Sequence, residues 1–283
     1  MAMIFKGSEV TEALNERIAA DVEELKAKGT EPALAILRVG ERGDDISYEK
    51  GATKRAEKVG VAIKNVVLPA DVSEDALINE ILKLNADDSI HGVLMFRPLP
   101  EHIDEDKVRN MLAAAKDVDG ITDLSIAGVF AGIETGFAPC TPSACMEILD
   151  YFGVECKGKN AVVVGRSLVV GKPAAMMLLD RHATVTVAHS RTADLQSVAR
   201  QADIIIACVG RAKMIDAGYL SDGQIVIDVG INVLEDGSLS GDVDYEAAES
   251  IVEAITPVPG GVGTVTTSVL MKHVVEAAKR IRA

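Results

Sequence analysis

The stretch Val162-Val163-Val164-Gly165-Arg166-Ser167-Leu168-Val169-Val170-Gly171-Lys172-Pro173 decides the fold. Its consecutive valines read as a buried strand, a turn with two glycines follows, and the chain from Pro173 through Met177 and Leu179 has helical spacing. Such a strand, turn and helix start suit a phosphate, because backbone N–H groups and the helix dipole point at an anion and glycine lets it approach. The match to the dinucleotide fingerprint is imperfect. Ser167 stands at the second glycine position and Gly171 comes one residue late. Taken alone, the turn also fits an ordinary βα connection.

Outward from this loop the chain alternates strands and helices. Toward the C-terminus, strands over 184–188, 203–208, 225–229 and 254–255 interleave with helices near 172–181, 193–201 and 216–220, and a tail over 268–281 is helical through Leu270, Val274, Ala277, Ala278 and Ile281. Toward the N-terminus, Val10, Leu14, Ile18, Val22 and Leu25 give one face to a helix over 8–28. Strands over 32–39, 63–68 and 92–96 alternate with helices over 46–59, from Ser73, and over 104–115. The pattern predicts an α/β protein of two domains, the second a Rossmann-like parallel sheet. Residues 116–140 break the rhythm and read as loop, and Thr141-Pro142 reads as a capped helix start. The boundaries expected are 1–138, 139–265 and a C-terminal helix over 266–283.

The 283 residues are 48% hydrophobic and 25% charged, enough for two cores. A net charge of −14 argues against nucleic acid or an anionic membrane as main partner and serves solubility. The longest apolar runs are near strand length, so none spans a bilayer, and the N-terminus lacks a secretory apolar region. Cys140, Cys145, Cys156 and Cys208 show no C-x-x-C spacing and read as reduced thiols of a cytoplasmic protein, with no metal site. Aromatics are 3% and Trp is absent, which disfavours a base-stacking surface.

Several stretches carry chemistry. His189-Ser190-Arg191-Thr192 begins 24 residues after Gly165, where an NAD site usually has a carboxylate for the ribose. A hydroxyl and guanidinium there, with Arg166 in the loop, favour NADP; a solvated turn is the plain alternative. In Pro257-Val258-Pro259-Gly260-Gly261-Val262-Gly263, two prolines and three glycines fix a backbone that could pass close to a flat ligand or simply connect elements. Tyr48 could orient a ligand or merely pack. Asp117 and Asp119 could accept from heterocycle N–H groups or shape an Asp-rich turn. No nucleophile elbow and no H-E-x-x-H appears.

Together these stretches resemble the methylenetetrahydrofolate dehydrogenase/cyclohydrolase family. The resemblance runs the whole chain and rests on Lys116-Asp117-Val118-Asp119-Gly120, Pro139-Cys140-Thr141-Pro142, Gly165 to Gly171, Ala183-Thr184-Val185-Thr186 with His189 to Thr192, Asp228-Val229-Gly230-Ile231-Asn232, Gly241-Asp242-Val243 and Thr256 to Gly263. It implies two α/β domains with a substrate cleft between them and a C-terminal helix packed back on the first. It also implies oxidation of 5,10-methylenetetrahydrofolate to the methenyl form with NADP, commonly followed by hydrolysis to 10-formyltetrahydrofolate, and commonly a homodimer. By the same resemblance Tyr48 and Asp119 are catalytic candidates, and Arg97, at the strand end where it could reach the site, is added to them on its own chemistry. Ala52, Met95, Phe96, Pro259, Gly260, Gly261, Val262 and Gly263 would complete the folate site. Thr141, Gly165, Arg166, Ser167, Gly171, His189, Ser190, Arg191, Gly210 and Ile231 would hold NADP.

The chain departs from the family at a telling place. The lysine of the family's Tyr-x-x-x-Lys, the group implied in hydrolysis, is Ala52, and the glutamine of its Val-Gln-Leu-Pro-Leu-Pro stretch is Phe96. The family's Pro-Met after the Gly-rich stretch is Thr264-Val265. At ~100° per residue position 52 lies about 40° from Tyr48, whereas Lys50 and Lys54 lie roughly 160° and 120° away. Arg55 is about 20° off but about 10 Å along the axis. Arg97 could polarise a bound water but cannot act as a base near neutral pH. The expectation is intact dehydrogenation with weak or differently catalysed hydrolysis. A shikimate-type NADP dehydrogenase, lacking here a convincing Lys/Asp pair, and a non-catalytic dinucleotide sensor are the alternatives.

Overall fold

The computed structural model describes residues 1–280. In chain order it has β1 (Met3–Ile4), α1 (Gly7–Ala27), β2 (Ala33–Val39), α2 (Gly43–Val59), β3 (Ala62–Leu68), α3 (Glu74–Ala86), β4 (Gly92–Met95), α4 (Glu105–Arg109), α5 (Asp123–Ala131) and α6 (Cys140–Tyr151). It continues with β5 (Asn160–Val164), α7 (Gly171–Asp180), β6 (Thr184–Ala188), α8 (Leu195–Arg200), β7 (Ile204–Ala207), β8 (Ile225–Asp228), β9 (Asn232–Val233), β10 (Leu239–Ser240), α9 (Tyr245–Ala248), β11 (Ala254–Ile255) and α10 (Val262–Arg280). Two compact units emerge: Met1–Glu12 with Thr141–Thr266, and Ala13–Cys140 with the chain from Thr267.

The unit containing Ala13–Cys140 is built on a parallel sheet in the order β3-β2-β4. Central β2 is buried along its whole length, as its continuous apolar run requires in a sheet covered on both faces. Leu34 pairs with Ile63 on one side and Gly92 on the other. Glycine is needed at 92, because a Cβ there would come within 2.7 Å of the Val118 side chain. Ala35, Leu37, Leu77, Ile81, Val93, Val108 and Ile121 are among the residues of its core.

The other unit carries a six-stranded sheet in the order β1-β11-β8-β7-β5-β6. Every pairing in it is parallel. Chain order reverses on the two sides of β5, and in such sheets ligands bind beyond the strand C-termini at that reversal. Val162, Val164, Ile205, Ala207 and Val226 form its centre.

Four expectations need adjustment. The first twelve residues, placed by sequence with the first domain, group with the dinucleotide-type sheet because Met3 and Ile4 pair with Ala254 and Ile255 of β11. The loop-like stretch 116–140 contains α5, which Thr122 caps by accepting from Ser125 N and which ends at Gly132 with φ 66°. The helix expected over 104–115 is interrupted: α4 ends at Arg109 and a 3-10 turn over Ala114–Lys116 follows, because the Asn85 side chain takes the backbone of Met111 and Ala113 at 2.8 and 3.0 Å, in place of helical partners. The last helix starts earlier than expected, at Val262, and positions 281–283 lie outside the described residues.

Candidate active site

The C-terminal end of β4 gathers the first group. Met95 is buried, and Phe96 donates its N–H to Leu37 O at 3.1 Å, fixing its exit from the sheet. Its ring meets Tyr48 of α2 edge-on, centroids 5.8 Å apart at 83°. Arg97 follows, with a cis bond to Pro98, and pairs with Glu105 at 3.3 Å. Glu105 also accepts from Leu99 N at 2.9 Å, so the same carboxylate holds both the arginine and the turn behind it.

The two aspartates of Lys116-Asp117-Val118-Asp119-Gly120 separate in role. Asp117 is fully buried and accepts from Ile121 N, Thr122 N and Ser125 Oγ at 3.0, 2.8 and 2.7 Å. It shapes the start of α5. Lys116 is likewise structural, donating to Leu84 O and Asp87 O. Asp119 is the half-buried one. Burial pushes its carboxyl up to about 6; a hydrogen bond from Cys140 opposes the shift, the charge of Asp117 adds to it, and Arg97 eases it. The Cys140 thiol is in turn held well above its usual value by burial and by Asp119. His273 Nδ1 lies 2.8 Å from Val118 O, bracing the residue beside Asp119. Cys140 and His273 are the partners that sequence reasoning missed. The signal for Cys140 was its place between Pro139 and Thr141; His273, on a helix 155 residues after Val118, gave none.

Tyr48, Phe96, Arg97 and Asp119 thus belong to one neighbourhood, and the position of the missing lysine is sealed. Ala52 is 0% exposed, in a buried stripe with Ala56 and Val59. Lys50 and Lys54 are exposed. Arg55, the cation nearest in helical angle to Tyr48, lies with its Nε 3.4 Å from Thr267 Oγ1, and burial lowers its pKa. A second pair missed in the sequence, Arg38 and Glu49 at 2.8 Å, ties the end of β2 to α2.

In the dinucleotide-type unit the opening loop is compact for a physical reason. Gly165 has φ 140°, and a Cβ there would lie 2.6 Å from Cys208 Sγ; one at Gly171 would lie 2.6 Å from the Gly165 carbonyl carbon. Ser167 Oγ accepts from Val170 N at 3.1 Å and Gly171 N at 3.4 Å, which gives the serine at the second glycine position a task of its own. Arg166, Ser167, Leu168 and Val169 are exposed. Among the described residues, none accepts from their backbone N–H groups. Four unclaimed donors ahead of a ten-residue helix fit a phosphate. At the end of β6, Arg191 N donates to His189 Nδ1 at 3.1 Å and His189 N to Thr192 Oγ1 at 2.9 Å, leaving Ser190 and Arg191 exposed.

Other expected contacts differ in placement. Thr141 is half-buried in the first turn of α6, which starts one residue earlier, at Cys140. Gly210 is exposed with φ 67°, and Ile231 is exposed. Pro259 follows a cis bond, and Gly260, φ 102°, accepts from Gly7 N at 2.8 Å. Gly261 is buried, and Gly263 faces the Ile231 side chain. Val262 is buried at the start of α10.

Residues 5–119 match the catalytic-domain model of tetrahydrofolate dehydrogenase/cyclohydrolase, and residues 139–282 match its NAD(P)-binding-domain model. The chain belongs to the tetrahydrofolate dehydrogenase/cyclohydrolase family. Within that family it is 50% identical over 281 residues to the bifunctional protein FolD of Carboxydothermus hydrogenoformans, covering 99% of this chain and 98% of that one. The crystal structure of the FolD dehydrogenase/cyclohydrolase from Campylobacter jejuni superposes with a TM-score of 0.96 at 38% identity, over 99% of this chain and 100% of that one. The Trypanosoma brucei FolD structure, complexed with NADP cofactor and inhibitor, gives 0.91 at 34% identity over 100% and 99%. These family matches do not favour the shikimate-type alternative.

Proposed function

We propose that the protein oxidises 5,10-methylenetetrahydrofolate to 5,10-methenyltetrahydrofolate with NADP+ in one-carbon metabolism. The observation that carries the reading is the set of four unclaimed amides at Arg166–Val169 in a chain whose two halves match the two models of one folate family. In this reading the exposed Arg166 and Arg191 guanidinium groups hold the 2′-phosphate that separates NADP from NAD. Asp119 accepts from the pterin N–H groups, and Tyr48 orients the ring beside Phe96.

The C–H bond of the methylene bridge breaks with its electron pair leaving as hydride, and the positive charge remains on the N–C–N unit. NADP+, when bound, supplies the hydride acceptor. The substrate's own nitrogens stabilise the cation, so the protein's task is alignment and exclusion of water, and no proton-transfer group is needed for this step.

Hydrolysis of the methenyl product is different, because a water must be activated. Ala52 is buried and Phe96 sets its ring edge-on to Tyr48 where the family pattern has Lys and Gln, so neither offers a polar group, and Arg97 is engaged with Glu105. Hydrolysis is therefore slow relative to oxidation. Two assays on the purified protein, NADP reduction with methylenetetrahydrofolate and decay of methenyltetrahydrofolate, test this. Hydrolysis keeping pace with oxidation would overturn the second part, and no NADP reduction would overturn the first. The double variant Ala52→Lys with Phe96→Gln is expected to raise hydrolysis about a hundredfold, the lower end of what one general acid–base group contributes. A homodimer is supported by the apolar residues Leu179 on α7 and Val187 on edge strand β6, 52% and 39% exposed, and sedimentation tests it.

A further inference from the structure

Two buried carboxylates, Asp228 at the end of β8 and Asp242 against the loop after β7, lie outside the expected binding contacts. Asp242 is 0% exposed and accepts four hydrogen bonds. Three come from consecutive backbone amides: Val209 N at 2.6 Å and Gly210 N at 3.0 Å on Oδ2, and Arg211 N at 2.9 Å on Oδ1. The fourth comes from Asn232 Nδ2 at 3.0 Å on Oδ1. Asp228, the last residue of β8 and 3% exposed, holds Asp242 in turn. Its Oδ1 accepts from Asp242 N and Gly230 N, and its Oδ2 from Val243 N, each at 3.0 Å.

The two aspartates interlock through glycines. A Cβ at Gly230 would collide with the Asp242 carboxylate, and one at Gly241 with that of Asp228. Among the described residues no basic side chain pairs with either carboxylate; backbone amides and one Asn carry the solvation. An ionised acceptor makes bonds roughly twice as strong as a neutral one, so this relay is a stiff joint.

Its chemistry also sorts the ligand. The amides of 209–211 are already spent on an internal anion, so this loop cannot receive a phosphate, unlike the open amides of Arg166–Val169. It suits an uncharged or cationic portion of a dinucleotide. We infer that Asp242, fixed by Asp228, is a positioning residue for NADP: it sets the loops carrying Gly210 and Ile231 against the nicotinamide half of the cofactor. This rests on the NADP reading above.

The test uses the full-length protein and its Asp242→Asn variant, which keeps size but replaces one acceptor oxygen with a donor, and a milder Asn232→Ala variant, which removes one donor. Direct NADPH binding is measured by fluorescence, and amide hydrogen exchange is measured without cofactor. The expected result for Asp242→Asn is NADPH affinity about tenfold weaker. The KM for NADP should rise in parallel and kcat should fall, because hydride transfer depends on how the nicotinamide is held, with the folate KM within about twofold. Exchange should accelerate at 209–211 and 230–232 while strands β5 and β7 stay protected. Asn232→Ala should show the same pattern at smaller amplitude. Unchanged NADPH affinity in both variants would overturn the inference, as would exchange accelerating evenly across the unit. Wild-type protein failing to bind NADPH would instead overturn the NADP reading itself.

Discussion

Single residues set the chemistry. Asp119 and Asp117 are separated by one valine, yet Asp117 is the hub of a turn and Asp119 takes a hydrogen bond from the Cys140 thiol. The difference is whether backbone donors reach the carboxylate. Because burial pushes the Asp119 carboxyl up to about 6, the ionised form, which in the proposed function accepts from the pterin, predominates above that pH. Wild-type kcat/KM for methylenetetrahydrofolate is expected to fall as pH drops through about 6, and Asp119→Asn should abolish that limb while raising the folate KM about tenfold. A pH–rate series on both proteins checks this. The same shift has a stability consequence of definite sign. A carboxyl raised from 3.8 to about 6 favours folding in its protonated form, so its contribution is present at low pH and is lost as pH rises through that interval. Asp119→Asn should remove that part of the pH dependence, read from urea unfolding at pH 4.5 and pH 7.

At the scale of elements, the nucleotide loop shows how a departure from a fingerprint can be functional. Ser167 Oγ ties Val170 N and Gly171 N, a service a glycine could not give. Ser167→Ala should weaken NADPH binding by about 1 kcal/mol, the scale of a lost helix-start hydrogen bond, with methenyltetrahydrofolate binding unaffected. Gly171→Ala forces a Cβ against the Gly165 carbonyl and should cost about 1–3 kcal/mol of stability, measured by thermal melting. Helix α5 shows the limit of local reading. Its Gly128, the glycine that follows it and its short apolar stretch look like loop, and what makes it a helix is the cap at Thr122, whose backbone N–H is held by Asp117. The shortened α4 is the converse: its continuation reads as helical, but a side chain from α3 takes its backbone groups.

At the scale of the whole molecule, binding and folding are linked. NADPH at a hundred times its Kd should stabilise the unit that holds it by about 2.7 kcal/mol. That corresponds to a melting shift of roughly 5–10 °C for a domain of this size, measured by calorimetry with and without cofactor. The same addition should leave exchange protection of β2 and β4 unchanged if the cofactor site belongs to the other unit. The alternation of strands and helices, the parallel sheets, the glycine loop and the replacement of Lys and Gln at positions 52 and 96 are legible in the amino-acid order alone. These follow from apolar periodicity, from glycine's conformational freedom and from identity at a position, all local properties of the chain. Packing between distant segments settles which of two neighbouring aspartates takes the backbone donors, that Met3 and Ile4 extend a sheet ending some 250 residues later, and that Asp242 spends its charge on the loop after β7. Those outcomes depend on which donors reach an acceptor from distant parts of the chain, and no local pattern encodes that.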